Sequence, residues 1–94
     1  MGFGIREEIL SKIKSITEKY NCKFYIFGSR ARGDYRKNSD IDVAVEGVQS
    51  NEEKMKIRNE FDAIDMEYTI DIVFVESLNN QELIENIRKE GVLI

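Results

Sequence analysis

Two hydrophobic periods alternate along this chain, and that alternation restricts the fold more than any other feature. Residues 23–27, 40–46 and 69–75 are short runs of β-branched and aromatic residues, a pattern that reads as strands. Around them the apolar residues recur at helical spacing. Ile5, Ile9, Ile13, Ile16 and Tyr20 step by 4, 4, 3 and 4, and Ile57, Phe61, Ile64 and Tyr68 step by 4, 3 and 4. Leu83, Ile84 and Ile87 form a third stripe. The spacing predicts helices over 4–19, 51–66 and 80–89, and a single helical turn over 29–33. Asn21 is the expected left-handed stop of the first helix, Asn51 the cap of the next, and Gly33 and Gly91 close the short turn and the last helix. The expected order is α-β-α-β-α-β-α. That is an α/β (α+β) layer with a small sheet of at least three strands and helices packed on it. The link between the first two strands is about a dozen residues, near the lower limit for a parallel crossover. A mixed sheet is therefore expected. Residues 92–94 are an apolar tail that either closes the core or offers a docking surface.

Length and composition subtract chemistries. With 94 residues, no repeat and no linker, one domain over 1–94 is expected. There is no His and a single Cys, Cys22. A Ser-His-Asp triad, a Cys-His pair, a Cys-cluster zinc site and an internal disulfide are all excluded. Acid–base or metal chemistry must use carboxylates, which suit hard cations such as Mg²⁺. The net charge of −4 argues against direct nucleic-acid binding, which normally needs a basic face. No apolar run approaches a membrane span, and residues 1–9 carry no signal-peptide core. A cytoplasmic protein with no membrane association is expected.

Three acidic residues stand out from those on helix faces and turns. Asp40, Asp42 and Asp71 lie in segments otherwise made of Val, Ile and Phe. Asp is disfavoured in strands, and burying it unpaired is costly. Spaced by two, Asp40 and Asp42 project to one face, about 6–7 Å apart along the backbone. Carboxylates that close repel unless a cation lies between them. Asp71 completes a metal site if its strand lies beside the second. The plainer alternative makes Asp40 a strand cap, Asp42 an edge residue and Asp71 a hydrogen-bond acceptor.

Gly28-Ser29 follows a strand directly and opens a helical turn. Free backbone N–H groups there, with the Ser29 hydroxyl, make an anion site. The next residues hold Arg30, Arg32, Arg36 and Lys37 against Asp34 alone. This +3 loop beside a carboxylate set suits a metal-bound polyphosphate. The spacing is neither a Walker loop nor a dinucleotide fingerprint.

Taken together, Gly28-Ser29-Arg30-Ala31-Arg32-Gly33 matches a Gly-Ser-x-Ala-Arg-Gly signature, and Ser39-Asp40-Ile41-Asp42 matches Ser-Asp-x-Asp. On these motifs the chain resembles the nucleotidyltransferase superfamily that includes DNA polymerase beta and kanamycin nucleotidyltransferase. More closely, it resembles the minimal nucleotidyltransferases that partner HEPN proteins in prokaryotic toxin–antitoxin pairs. The resemblance spans essentially the whole chain and implies a nucleotidyltransferase fold. It also implies that Asp40 and Asp42 ligate two Mg²⁺ ions, with Mn²⁺ as a substitute, and that Asp71 joins the metal activating the acceptor hydroxyl. Gly28 and Ser29 would hold the β- and γ-phosphates of ATP, with Arg32 as the matching cation and Arg30 as a further candidate. The implied activity is AMP transfer from ATP to a tyrosine of a HEPN toxin, as the antitoxin of a type VII-like pair. Two other readings stay open: a binding-only antitoxin that masks its partner, and a homodimer that modifies a small molecule.

Overall fold

The computed structural model describes residues 2–94. The elements are α1 (Glu7–Thr17), β1 (Lys23–Phe27), α2 (Ser29–Arg32), β2 (Ile41–Glu46), α3 (Asn51–Asp62), β3 (Ile70–Phe74), α4 (Gln81–Glu90) and β4 (Val92–Leu93). A short 3₁₀ turn, Val75–Ser77, follows β3. The sheet runs β3-β2-β1-β4. β1 pairs antiparallel with β2 and β4, while β2 pairs parallel with β3. The sheet is thus mixed, as expected, with the short first link joining an antiparallel pair. Among the described residues, no helix is long and apolar enough to cross a membrane.

The period-two strands sort their side chains between two cores. Phe24 and Ile26 from β1, Ile41, Val43 and Val45 from β2, and Phe74 from β3 are buried with Ile9, Ile13 and Ile16 of α1 and Ile57 and Phe61 of α3. The other face is thinner. There Ala44 and Val75 are buried against Ile87 of α4, with Tyr25, Phe27, Val73, Leu83 and Ile84 around them. β3 is an edge strand, so Ile70, Ile72 and Val73 are only half-buried.

Several boundaries differ from the spacing. α1 starts at Glu7 because residues 2–6 form a turn: Ile5 N–H donates to the Gly2 carbonyl at 2.8 Å, and Phe3 and Gly4 lie at positive φ. Asn21 is not left-handed, since Phe3 is the one non-glycine residue at positive φ among the described residues. The helix instead tightens at its end, with Lys19 N–H donating to Ile16 and Tyr20 N–H to Thr17. Lys19 and Tyr20 then both bind the Glu60 carboxylate on α3. α3 ends at Asp62, leaving Ile64 and Tyr68 outside it, and its cap is Ser50, not Asn51. Asn80 caps α4 by accepting from Leu83 N–H at 3.2 Å. The tail forms a fourth strand, with Ile26 opposite Val92 and Tyr25 opposite Leu93. It remains 41% and 60% exposed at Val92 and Leu93, because it is the outer edge.

The cap assignment is testable. The Ser50 hydroxyl accepts from Glu53 N–H at 3.2 Å, so Ser50→Ala should cost about 1 kcal/mol of stability in a urea melt. Asn51→Ala, inside the first turn, should leave the midpoint nearly unchanged. The reverse order would refute Ser50 as the cap.

Candidate active site

The topology brings three strand ends together. β1 runs opposite to β2, so its C-terminal end meets the N-terminal ends of β2 and β3. Across that end the register pairs Phe27 with Asp42, and Asp42 with Asp71. The condition set on Asp71, that its strand lie beside the second, is therefore met. Asp40 precedes β2 by one residue. Ile41, Val43 and Val45 are fully buried on the opposite face, so Asp42 must point away from the main core. α4 covers this second face over Ala44 and leaves Asp42 half-buried.

Asp40 and Asp71 are exposed, and Asp42 alone is half-buried. Asp40 lies before the paired segment and Asp71 lies on an edge strand, so neither is covered. Burial pushes the Asp42 carboxyl above the usual range, with Asp71 and Asp40 adding repulsion while Arg32 and Arg30 oppose it.

Gly28 bends the chain over this carboxylate. Its φ of 74° and ψ of −152° lie in a region open essentially to glycine alone. A methyl group there would come within 2.5 Å of Asp42 Oδ2. Asp42 thus occupies the space that glycine leaves. α2 follows at once, closed by Gly33 in the left-handed conformation, and no side chain caps its start. The first amides of the turn have no partner within the helix. Arg32 is solvent-accessible, with Nε 3.3 Å from Asp34 Oδ2 and Nη1 3.8 Å from Glu90 Oε2 at the end of α4.

Arg30 goes elsewhere. It is 2% exposed. Nε and Nη2 donate to the Ser39 carbonyl at 3.1 and 2.7 Å, and Nη1 donates to the carbonyls of Phe3 and Gly4 at 3.0 and 3.2 Å. The rings of Tyr35 and Tyr68 lie 5.1 and 5.0 Å from its guanidinium carbon. With its edges bonded and its faces covered, it has no donor fork left for a phosphate, and its expected contact with nucleotide is corrected on that ground. The sequence reading links none of Tyr35, Tyr68 and residues 3–4 to Arg30. Tyr68 and residues 3–4 lie far from Arg30 along the chain, Tyr35 lies five residues on, and none shares a period with it.

The donor set suits a hard divalent cation. It is oxygen-only, it presses like charges together, and Gly28 opens a cradle against Asp42. Among the described residues, however, no three carboxyl groups converge closely enough to form a ligating cluster by themselves.

Gly-Ser at one strand end and carboxylates at the next two thus lie together at one end of a mixed sheet. Residues 11–94 match the family described as polymerase beta, nucleotidyltransferase, and the chain belongs to that family. No curated protein matches it. Among solved structures, it is similar to a chain in a crystal structure of a toxin–antitoxin with AMP-PNP, at 25% identity and TM-score 0.66. That match covers 88% of this chain and 69% of the other. It is also similar to a protein of Sulfolobus solfataricus provisionally named a nucleotidyltransferase, at 25% identity and TM-score 0.53, covering 92% and 76%.

Two outcomes follow from this geometry. Gly28→Ala should destabilise the fold by about 1–3 kcal/mol from backbone strain. Adding Asp42→Ala should recover part of the loss by removing the overlap. If the second change recovers nothing, the overlap is refuted. The raised Asp42 carboxyl also means that the folded chain holds its proton more tightly than the unfolded chain, whose ordinary value is 3.8. Stability attributable to this group therefore falls as pH rises above that value and levels off past the folded value. Asp42→Asn should melt above wild type at pH 7, with the gap closing below pH 3.8. A gap independent of pH would contradict this account.

Proposed function

We propose that residues 1–94 form a minimal nucleotidyltransferase domain that uses Mg²⁺ to transfer AMP from ATP to a hydroxyl group, specifically a tyrosine of a HEPN-type toxin. On this reading the chain is the antitoxin of a type VII-like pair and acts in the cytoplasm. One observation carries the reading: Asp42 lies in register with Asp71 on a parallel neighbour while packing against Gly28 of the Gly-Ser turn. The likeness to a toxin–antitoxin crystallised with AMP-PNP supports the nucleotide and the partner class.

Asp40, Asp42 and Asp71 would hold the metal. Bound Mg²⁺ supplies charge neutralisation at the reacting phosphate and lowers the proton affinity of the acceptor hydroxyl. Gly28, Ser29 and the uncapped amides of α2 receive the β- and γ-phosphates, and Arg32 exchanges Asp34 and Glu90 for phosphate oxygen. Asp71, exposed on the edge strand, faces the incoming hydroxyl and takes its proton. The hydroxyl oxygen bonds to the α-phosphorus as the bond to pyrophosphate breaks. Pyrophosphate departs on the Ser29 and Arg32 side.

The test is label transfer from [α-³²P]ATP to a purified HEPN partner with Mg²⁺. Transfer is expected, and Asp42→Asn should lower it by at least about a hundredfold. Absence of transfer from the folded wild-type chain would overturn the reading. Neutralisation of the partner that survives Asp42→Asn would identify masking instead. Label on a small molecule only, with a dimeric chain, would identify the homodimeric transferase.

A further inference from the structure

The buried Arg30 guanidinium has no role in the chemistry just proposed, yet it sits in the most elaborate polar arrangement of the molecule. Three carbonyls take four of its five N–H groups, and two tyrosine rings cover it. The Ser39 carbonyl, gripped twice, belongs to the peptide that enters Asp40. The peptide that leaves Asp40 is held as well, because Ile41 N–H donates to the Thr69 carbonyl at 2.8 Å. Asp40 itself lies before β2, so no ladder fixes it. Its placement depends on these two anchors.

We propose that Arg30 is a positioning residue: its forked grip on the Ser39 carbonyl sets the backbone that presents Asp40 to the site. The same guanidinium ties that backbone to Phe3 and Gly4. The segment is built to receive it. Phe3 adopts φ 55° and Gly4 φ 68°, and a side chain at Gly4 would run into the Tyr35 ring. The Ser39 turn is closed independently, since its hydroxyl accepts from Arg36 N–H at 2.7 Å and its own N–H donates to the Arg36 carbonyl at 3.0 Å. Arg30 therefore fixes a preformed turn relative to α2, and α2 carries the Gly28-Ser29 cradle. Through one side chain the Asp40 end and the phosphate end of the site keep their separation. The inference rests on the nucleotidyl-transfer reading for what Asp40 does, and on geometry alone for what Arg30 does.

Arg30→Lys tests it, because Lys keeps the charge and loses the fork. Three measurements are made: Mn²⁺ binding with AMP-PNP by electron paramagnetic resonance, hydrogen exchange of the Ile41 amide by NMR, and kcat and KM for ATP. Mn²⁺ affinity and kcat should each fall about tenfold, as for residues that orient metal ligands, with KM within about twofold. The Ile41 amide should exchange faster while Val43, deeper in the strand, stays protected. A raised KM with unchanged Mn²⁺ affinity would mean that Arg30 touches nucleotide. A lower Tm with all three measurements unchanged would mean a purely structural role. Either overturns the proposal. If the wild-type chain transfers no nucleotide, the functional reading fails, while the exchange measurement still decides this one. If Arg30→Lys does not fold, Tyr35→Leu removes one covering ring and leaves the hydrogen-bonding groups in place. It should move Ile41 exchange in the same direction, and unchanged exchange overturns the proposal.

Discussion

The register of β2 is the constraint on which the rest of this structure depends. β2 is an interior strand, with β1 on one side and β3 on the other. Its Ile41, Val43 and Val45 are fully enclosed between the sheet and helices α1 and α3. A slip of one residue would drive Asp42 into that core and expel three β-branched side chains, so the alternative register is excluded by a large desolvation cost. Burial of three apolar residues thus fixes where a carboxylate points. The antiparallel partner then sets Phe27 and Gly28 on one side of Asp42, and the parallel partner sets Asp71 on the other.

That placement opposes stability locally. Asp42 is partly desolvated beside two other carboxylates, and its carboxyl accordingly binds protons more readily than usual. Gly28 adds a conformation that other residues adopt only under strain. Both features weaken the fold, and both lie at the same end of the sheet. The two cores carry this burden unequally. The α1/α3 face is deep and supplies most of the buried apolar area, whereas the α4 face is thin and leaves the strand ends open. A site at the thin face disturbs the deep core least.

Much of this was legible in the sequence. The element order, the mixed sheet and the opposed faces of β2 follow from period and link length, which are local properties. So does the adjacency of Gly28-Ser29 to a strand end. The end of α1 was misread because Asn21 has left-handed propensity while the observed end is set by Lys19 and Tyr20 reaching Glu60 on another helix. The α3 cap was displaced by one residue because Ser50 and Asn51 are both good caps, and only the backbone selects between them. The exposure of Asp40 and Asp71 is not legible, because composition does not tell an edge strand from a central one. β4 was read as a tail because two residues give no period. The sequence groups Arg30 with the residues expected to bind phosphate because they adjoin it, whereas its hydrogen-bond partners are carbonyls 9 to 27 residues away.

Turning Arg30 inward changes the electrostatic picture of the loop. By sequence the segment presents four cations against one acid. In the folded chain one of the four is enclosed by tyrosines and carbonyls, so it still acts on Asp42 through its charge but offers no exposed fork. Arg32 is the guanidinium that remains beside the Gly-Ser turn, and Asp34 and Glu90 share it. Exposed pairs of this kind contribute little, about 0–1 kcal/mol each. They therefore hold the side chain in place without competing seriously with a polyphosphate. On the proposed function, the attraction for an anion comes from one guanidinium and a few backbone amides at a defined position, not from a diffuse basic surface. On that reading, a chain of net charge −4 can therefore still carry a phosphate-binding end.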